Sequence, residues 1–516
     1  MKKYSGLKNV FIITFIIGFI SYGYVLTNYS PTHDGYMMVK TNQIWELSIG
    51  RFCVLWYGRL RGLIEAPWLL GILSLIYIGL AVYMAMELLE IPFDIWRTVI
   101  VSSVFLLNIA FISNAGVYIY CWDVYALALL FSVASAYLML NVGGKMKQWY
   151  SRATVYAAAV LLLALSMGMY QAYFPVAAGL CVIYFCKEVI DKKDLKKIYA
   201  RAAISVGWLV ISGIVYYLIL KICQRIYNTQ PYSGAYESLD NIEKLSPAGI
   251  IKSVPTCYKQ VLKYFFKDNL YDSRVLPYLN IALIVLGALV WISVIVRHVE
   301  GIHRRILIVA LLMIFPLAIN SVSLLTRGTL LQLMTWSYQL FYIAALYPIL
   351  YRHQEVQIPG TSGNVRVFIP VLVLIILISC GVIRYANDLF YYQKLVGDGT
   401  QTQMNGIIYD MERTEGFDAS VNPVILVGDI PTALSGEYDF KEVFVQTCGV
   451  GYGTTVTYNS NFEWYARYVM GKNYNFHPEP EVIQQVAADT NIESQPCYPD
   501  NGYCTMVDDC LIVRFN

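Results

Sequence analysis

The sequence predicts a polytopic α-helical membrane protein with a small α/β domain at its C-terminal end, and two observations indicate this fold class. Hydrophobic residues make up 57% of the 516-residue chain and charged residues only 14%, against about 25% charged residues in soluble domains. So much apolar side chain does not fit one water-soluble core, because single cores stop growing near about 250–300 residues. Residues 388–516, by contrast, return to a soluble composition. A soluble enzyme, a disordered scaffold and a fibrous protein are therefore excluded, and a net charge of +3 gives no reason to expect nucleic acid.

The membrane part contains eleven segments that are apolar over about the 20 residues that a spanning helix needs. They are 9–28, 67–88, 98–114, 123–141, 153–169, 172–190, 202–222, 277–296, 306–325, 333–350 and 367–384. The first has an apolar run too long for a signal peptide, and no small-residue cleavage site follows it. We expect it to be an uncleaved anchor.

Lysine and arginine set the expected orientation, because they concentrate in cytoplasmic loops. With the N-terminus inside, the inner segments hold 18 of these residues, namely Lys2, Lys3, Lys8, Arg97, Lys145, Lys147, Arg152, Lys187, Lys192, Lys193, Lys196, Lys197, Arg201, Arg297, Arg304, Arg305, Arg352 and Arg366. The short outer loops hold 5, namely Lys40, Arg51, Arg59, Arg61 and Arg327. The sequence therefore predicts a multi-pass membrane protein with the N-terminus inside and the C-terminal domain outside.

Two outer loops and the C-terminal tail carry most of the length outside the spans. Loop 29–66 places Trp45, Ile49, Phe52, Trp56, Leu60 and Leu63 at helical spacing, and loop 224–276 does the same with Ile251, Val254, Tyr258, Val261 and Phe265. Both patterns predict amphipathic helices in the outer membrane interface. The tail alternates strand-like segments at 424–427, 443–445 and 511–513 with helical ones near 401–413 and 462–471. We therefore divide the chain into a polytopic membrane domain, 1–387, and an extracytoplasmic α/β domain, 388–516.

The candidate site residues lie at the outer ends of the predicted spans, while the spans themselves hold almost no charge. Asp34 follows the first span, within Pro31-Thr32-His33-Asp34-Gly35-Tyr36, and Asp123 begins the fourth. Tyr170 and Gln171 separate spans five and six, and Arg327 is the only charged residue of its loop. Such a distribution suits a site at the outer membrane surface that serves one lipid-borne and one external reactant.

Each of these residues also has an ordinary structural interpretation. Asp34 would suit a solvated turn, and Asp123 a helix N-cap. Tyr170 and Gln171 would suit a plain hairpin, and Arg327 would suit pairing with lipid headgroups. The predicted topology places all of them on one side of the membrane, which favours the functional interpretation.

Three short motifs resemble the type II glucosyltransferase family of bacterial serotype-converting, O-antigen-type enzymes. They are an aspartate in the first outer loop; the segment Trp45-Glu46-Leu47-Ser48-Ile49-Gly50-Arg51 followed by Ala66-Pro67-Trp68; and the hairpin Ser166-Met167-Gly168-Met169-Tyr170-Gln171-Ala172. The resemblance extends over roughly residues 10–385 in hydropathy and spacing. It implies a GT-C-like fold and an enzyme of the bacterial cytoplasmic membrane that moves a sugar, glucose in this family, from a polyprenyl phosphate to a cell-surface glycan outside the cytoplasm. In one departure, His33-Asp34-Gly35 supplies one carboxylate where the family carries an acidic pair.

The chemistry of such a transfer assigns a role to each candidate. A base must take the proton of the acceptor hydroxyl while the bond at C1 breaks with oxocarbenium character; Asp34 is the candidate base and Asp123 the second catalytic carboxylate. The guanidinium of Arg327 or Arg51 would bind the donor phosphate bidentately. Tyr170 and Gln171 would hydrogen-bond the sugar. We also assign His33 and Trp45 to substrate binding.

Three points stay open at this level. A polysaccharide polymerase or ligase, or a lipid-linked oligosaccharide transporter, is the alternative function. The family fold admits a divalent metal, but no ligand set can be assigned, so we name no metal ligand. The partners expected are the polyprenyl-phosphate sugar donor, the glycan acceptor and the bilayer, with a flippase and a donor synthase as compatible proteins. Cys448, Cys497, Cys504 and Cys510 lie in the outer tail, where disulfides are permitted but their pairing cannot be derived from the sequence.

Overall fold

The computed structural model describes residues 2–38, 44–62, 65–232, 247–268, 270–271, 273–325, 330–351, 355–356, 365–433, 453–457, 459–487, 492 and 494–515. Within these ranges, nine helices are long and apolar enough to cross a membrane. They are Ser5–Thr27, Pro67–Leu88, Ile119–Lys145, Trp149–Met169, Gln171–Ile190, Leu195–Ile226, Leu276–Arg297, Ile302–Ile319 and Phe368–Arg413. The chain is therefore a mostly helical, multi-pass membrane protein.

The described helices are labelled in chain order. They are α1 (Lys2–Thr27), α2 (His33–Met38), α3 (Ile44–Ser48), α4 (Phe52–Arg61), α5 (Pro67–Leu88), α6 (Ile95–Leu106), α7 (Ile109–Gly116), α8 (Trp122–Tyr137), α9 (Trp149–Met169), α10 (Phe174–Ile190), α11 (Leu195–Ile226), α12 (Pro247–Phe266), α13 (Leu276–Arg297), α14 (Ile302–Ile319), α15 (Ser321–Leu325), α16 (Leu340–Tyr351), α17 (Phe368–Arg413), α18 (Asn459–Tyr468) and α19 (Pro480–Ala487). The strands are β1 (Glu355–Val356), β2 (Val365–Arg366), β3 (Val424–Val427), β4 (Cys504–Val507) and β5 (Cys510–Arg514).

Two of the eleven predicted spans differ from a single long helix. Segment 98–114 is the pair α6 and α7, bent by 55°, which makes a tenth span if the pair counts as one. Segment 333–350 begins with short 3-10 turns, and its α-helix, α16, has only 12 residues. At 1.5 Å per residue α16 is about 18 Å long, less than the hydrocarbon thickness of about 30 Å. The count of eleven therefore stays a prediction.

Asn108 stabilises the bend between α6 and α7. Its side-chain amide donates to the carbonyl of Phe105 at 3.0 Å, and its Oδ1 accepts from the backbone N–H of Phe111 at 2.9 Å. A break in a helix frees backbone groups that are costly to bury without a partner. The asparagine satisfies one group on each side of the break, so the bend is encoded locally.

The chain divides into two compact units. The first comprises Met1–Thr27, Asn42–Ala115 and Ile119–Asn387, and the second comprises Asn28–Thr41, Gly116–Tyr118 and Asp388–Asn516. The second unit therefore includes the segment that holds Asp34, which the predicted boundary at 387 assigns to the membrane domain. Only the part of α17 after Asn387 belongs to it.

Helices α1, α5 and α8 pack closely in the first unit, and Gly71 on α5 permits their close approach. A Cβ at this position would lie 1.9 Å from Leu26 Cδ2 and 2.7 Å from Trp122 Cζ3. The indole of Trp122 is fully buried, and its ring lies 5.4 Å from that of Tyr22 and 5.6 Å from that of Phe111. This packing fixes the start of α8, where Asp123 lies.

Both loops predicted to form amphipathic helices are helical, but the first is broken into two helices and the second buries a different face. In loop 29–66, α3 and α4 replace one continuous helix, because Gly50 between them has a φ of +91°, a conformation that glycine adopts without strain. In the second, α12 forms, but its buried side is Cys257, Val261, Tyr264 and Phe265, whereas Ile251 is 71% exposed. Their location in the membrane interface stays a prediction.

The second unit contains a three-stranded sheet of order β3-β5-β4. β3 and β5 are parallel, with Val424 opposite Leu511, and β4 and β5 are antiparallel, with Val507 opposite Cys510. The buried side chains of α17, α18 and the sheet form one core that includes Met404, Ile407, Phe462, Tyr465, Leu511 and Val513. The predicted strands 424–427 and 511–513 match β3 and β5; the predicted strand 443–445 lies outside the described residues.

Candidate functional site

A group of buried polar side chains in the first unit brings together four of the predicted site residues. Arg51 lies between α3 and α4, and Asp123 lies in the first turn of α8. Tyr170 and Gln171 lie between α9 and α10. These four residues, together with Glu46, Arg61, Tyr125 and Tyr216, are called the polar cluster below.

Arg51 is held by one acidic and two aromatic side chains. Its Nη1 lies 3.2 Å from Oε2 of Glu46 and donates to the hydroxyl of Tyr125 at 3.3 Å. Its guanidinium carbon stands 4.5 Å from the centroid of the Tyr170 ring. Arg51 and Glu46 are both almost fully buried, so the ion pair neutralises charges that would be costly alone in a low-dielectric environment.

Asp123 forms a second buried ion pair, with Arg61. Oδ1 of Asp123 lies 2.5 Å from Nη1 of Arg61, and the exposed fractions of the two side chains are 0% and 6%. Nη1 and Nη2 of Arg61 also donate to the carbonyl of Tyr120, each at 3.1 Å. Asp123 therefore does not act as the N-cap of α8, because Cys121 occupies that position without a side-chain cap.

Tyr57 borders this second ion pair from α4. The Arg61 guanidinium carbon lies 5.8 Å from its ring centroid, and the Tyr57 and Tyr77 hydroxyls are 3.1 Å apart. Burial is the main cause that raises the pKa of Tyr57 well above its ordinary value, and the negative charge of Asp123 raises it further. The phenol is consequently neutral and retains its proton at every physiological pH.

Gln171 and Tyr216 bind the backbone at the break between α3 and α4. The amide of Gln171 donates to the carbonyl of Ile49 at 2.9 Å and to the hydroxyl of Tyr216 at 3.0 Å. The Tyr216 hydroxyl donates to the carbonyl of Gly50 at 3.1 Å. These bonds satisfy carbonyls that the break leaves without helical partners, and they fix the position of the next residue, Arg51.

Trp45 lies on the surface of the first unit. It is 45% exposed, and its ring makes an edge-to-face contact with Tyr232 at a centroid distance of 4.7 Å. The backbone N–H of Tyr232 donates to the carbonyl of Ser48, which holds this part of loop 224–276 against α3. An exposed, positioned indole is the kind of side chain on which a sugar ring stacks.

His33 and Asp34 lie in the second unit, in the first turn of α2. The Thr32 hydroxyl caps this helix by accepting from the N–H of Gly35 at 3.1 Å, and it donates to the carbonyl of Val117 at 2.8 Å. The side-chain amide of Asn461 donates to the carbonyl of His33 at 2.8 Å. The turn is therefore tied to two other segments of its own unit.

The two side chains differ in exposure. Asp34 is 31% exposed and His33 12%, and His33 Nε2 lies 3.7 Å from Asp34 Oδ2. Burial lowers the pKa of His33, although the negative charge of Asp34 opposes the shift. A half-buried carboxylate with a neutral imidazole beside it can accept a proton from a hydroxyl that reaches it.

A metal site does not emerge from the described ranges, in which no group of three or more His, Cys, Asp or Glu side chains could hold an ion. The described cysteines are free thiols, and these include Cys497, Cys504 and Cys510 of the tail. Cys448 and Arg327 lie outside the described residues, so the role predicted for Arg327 stays a prediction.

Comparison with known protein families gives a match to the family described as glucosyl transferase GtrII, over residues 23–351. The chain belongs to this family. Neither the curated proteins nor the solved structures contain a significant match to it. The matched segment includes His33, Asp34 and every member of the polar cluster.

Membership of the GtrII glucosyl transferase family confirms the resemblance predicted from the short motifs. The chain is therefore a glucosyltransferase of a membrane-embedded type. Residues 352–516, which contain the sheet of the second unit, lie beyond the matched segment.

Four members of the polar cluster are not among the site residues predicted from the sequence: Glu46, Arg61, Tyr125 and Tyr216. Glu46 and Arg61 supply the opposite charges for Arg51 and Asp123. Charge balance is the signal that could have found them, because an arginine and an aspartate near a membrane each require a counterion. Nothing in the local sequence indicates Tyr216, which lies on α11.

Proposed function

We propose that this protein transfers glucose from a polyprenyl-phosphate donor to a glycan on the outer side of the bacterial cytoplasmic membrane. The family match over residues 23–351 carries this proposal. A donor anchored in the bilayer also suits a catalyst with nine long apolar helices among its described residues, because donor and enzyme then share one membrane. The lysine and arginine distribution supports an inner N-terminus and an outer C-terminal domain.

Asp34 is our candidate for the general base. In the proposed step the acceptor oxygen forms a bond to C1 of glucose, and the bond from C1 to the phosphate oxygen breaks. The acceptor proton passes to the Asp34 carboxylate, and polyprenyl phosphate leaves with its bonding electron pair. The partial exposure of Asp34 supports this role, because an acceptor hydroxyl must approach within hydrogen-bonding distance.

The buried ion pairs support a positioning role for the polar cluster. Arg51 is neutralised by Glu46, and Asp123 by Arg61. Their predicted direct roles, phosphate binding for Arg51 and catalysis for Asp123, would require these pairs to open. Arg327 is therefore our first candidate for the donor phosphate, and Trp45 is our candidate for stacking on the sugar.

The test is transfer of radiolabelled glucose from synthetic polyprenyl-phosphate glucose by the purified full chain in lipid nanodiscs. Cell-surface glycan extracted from a strain that lacks this protein serves as the acceptor. Incorporation of label from the lipid donor, and none from a nucleotide-linked glucose, supports the proposal. Incorporation from the nucleotide donor alone would overturn the donor class.

A further inference from the structure

Two hydrogen bonds to the segment that carries Asp34 involve residues far beyond it in the chain. The side-chain amide of Asn461, in the first turn of α18, donates to the carbonyl of His33 at 2.8 Å. The hydroxyl of Ser30 donates to the carbonyl of Gln393, in α17, at 3.1 Å. All five residues belong to the second unit, but Gln393 and Asn461 come after the segment that matches the GtrII family. The tail of the chain therefore holds the segment on which the candidate base lies.

The neighbours of Asn461 fix the orientation of its side-chain amide. The side chain is buried, and its Oδ1 accepts from the backbone N–H of Thr457 at 3.2 Å and from the Thr457 hydroxyl at 3.1 Å. A backbone N–H only donates and a backbone carbonyl only accepts. The amide oxygen therefore faces Thr457 and the amide NH2 faces the His33 carbonyl, so this position requires a side chain that accepts at one end and donates at the other.

The backbone of Asp34 is held on both sides. The carbonyl that Asn461 binds belongs to the peptide group between His33 and Asp34. On the other side, the N–H of Gly35 donates to the Thr32 hydroxyl at 3.1 Å. A general base acts only within hydrogen-bonding reach of the proton that it accepts, and a displacement of about 1 Å can reduce a rate by about a hundredfold. The two bonds therefore fix the backbone from which the partly exposed carboxylate must reach an acceptor hydroxyl.

We propose that Asn461 is a positioning residue for the general base. Its amide holds the His33 carbonyl, so that the neighbouring Asp34 carboxylate is placed to accept the proton of the acceptor hydroxyl. Asn461 acts through Asp34 and not on the reacting atoms. The inference rests on the proposed function, because it takes Asp34 to be the general base. It adds that the tail beyond the matched segment contributes a residue to the transfer step.

The test compares two aspartate substitutions in α18, in the full chain in lipid nanodiscs. Asn461→Asp keeps the shape of the side chain and both contacts to Thr457, but at neutral pH it has no proton to donate to His33. We expect kcat for transfer from polyprenyl-phosphate glucose to fall about 10–100-fold, with KM for the donor changed less than about twofold. Asn459→Asp, at an exposed residue at the start of the same helix, adds the same charge and should retain the wild-type kcat.

Asn461→Ala separates the lost hydrogen bond from the added charge. It removes the amide without introducing a carboxylate, so it should lower kcat as Asn461→Asp does and leave KM for the donor within about twofold of wild type. Thermal unfolding of both variants shows that the loss of rate is measured on folded protein. If neither variant folds, Asn461 is a structural residue and the proposal is overturned.

A double-mutant cycle distinguishes positioning of Asp34 from a general effect on structure. Once Asp34→Asn has removed the base, the orientation of that side chain no longer matters to the rate. Asn461→Asp should therefore lower kcat of the Asp34→Asn protein by less than about twofold, although it lowers that of the wild type about 10–100-fold. An equal loss in both backgrounds would show that Asn461 acts independently of Asp34, and it would overturn the proposal.

The reactivity of the His33 imidazole measures the hold on the turn independently of transfer. Because His33 is only 12% exposed, it should react slowly with diethyl pyrocarbonate, and the exposed His303 supplies the reference rate by peptide mass spectrometry. Asn461→Ala should raise the rate at His33 relative to His303 at least about threefold, because the turn then opens more readily. Asn459→Asp should leave this ratio unchanged. An unchanged ratio in Asn461→Ala would overturn the proposal.

The proposed function and the positioning role fail in different proteins. If the wild type transfers no glucose from the lipid donor, the proposed function fails and the positioning role fails with it. If the wild type transfers glucose, Asp34→Asn does not, and both Asn461 variants keep the wild-type kcat, the proposed function stands and the positioning role fails.

Discussion

Oδ1 of Asp123 lies 2.5 Å from Nη1 of Arg61, and both side chains are buried. The two residues are 62 positions apart, on α8 and at the end of α4. The pair therefore attaches the end of α4 to the start of α8, which lies in one of the candidate membrane spans. At the other end of α4, Arg51 pairs with Glu46 and also donates to the hydroxyl of Tyr125 on α8, so both ends of α4 are attached to α8.

Removing one partner of the Asp123 pair should destabilise the protein strongly. Arg61→Met leaves a buried carboxylate without its counterion, and such changes cost about 3–5 kcal/mol. We expect a clear fall in the free energy of unfolding, measured by tryptophan fluorescence in detergent. Arg59→Met, at an exposed arginine that contacts only the Tyr227 hydroxyl and ring among the described contacts, is the control. Equal stability of the two variants would contradict a structural role for the pair.

The contacts of Gln171 predict a positioning role that is measurable as coupling. Gln171→Leu should lower the free energy of unfolding by about 1–3 kcal/mol, because it leaves the Ile49 carbonyl without its side-chain donor. Tyr216→Phe should cost less, about 0.5–1.5 kcal/mol. Because the two side chains share a hydrogen bond, their effects should be non-additive in a double-mutant cycle.

Tyr217→Phe is the matched control for that cycle, since Tyr217 follows Tyr216 on α11 and is 44% exposed. Additive effects of Gln171→Leu and Tyr216→Phe would show that the two side chains act separately. A raised KM for the lipid donor with unchanged stability would instead return Gln171 to direct sugar binding.

Hydropathy and turn signals predict much of the fold from sequence, because both depend on local composition. The second span matches α5 at Pro67 and Leu88, where proline suits the first turn of a helix. Strand β3 matches the predicted segment at 424–427. Strand β4 was missed because its hairpin turn, Asp508-Asp509, takes two positive φ values without the glycine that usually indicates such a turn.

The candidate site could be predicted only in part. Polar residues at the ends of spans are visible in the local sequence, but the residues they pair with are not. Asp123 and Gln171 were identified as polar residues at span ends. Their partners, Arg61 and Tyr216, come from helices distant in sequence. The apolar spacing of loop 29–66 predicts one continuous helix, but the chain breaks at Gly50 into two helices, α3 and α4.

Arg327 should bind the donor phosphate through its planar guanidinium. Arg327→Lys keeps the charge but loses the bidentate geometry, so we expect partial activity and a raised KM for the lipid donor. Arg327→Ala should lower donor affinity further, since charge-assisted bonds contribute roughly 1.5–3 kcal/mol each. Donor affinity equal to wild type in both variants would eliminate the assignment and favour pairing with bulk headgroups.

The lowered pKa of His33 predicts a pH-dependent stability. Because the folded state holds the imidazole neutral by burial, the unfolded chain binds the proton more readily below its own pKa of about 6.5. The contribution of this group is complete above that pH and falls as the pH drops toward the folded pKa. Lowering the pH from about 7.5 to 5 should therefore destabilise the wild type more than His33→Gln, as measured by thermal unfolding. Parallel pH profiles would contradict the burial effect.

Asp34→Asn tests the general base directly. Asparagine keeps the size and hydrogen bonding of the side chain but accepts no proton at neutral pH, so transfer should fall by about 10²–10⁴-fold. Because Asp34 is 31% exposed, folding and binding of the lipid donor should be nearly unchanged, as measured by thermal unfolding and donor affinity. Asp398→Asn, at a more exposed carboxylate of the same unit that pairs with Lys394, should retain full activity. A well-expressed Asp34→Asn protein with wild-type transfer would reject Asp34 as the base, and a loss that follows protein yield would assign it to the turn at the start of α2.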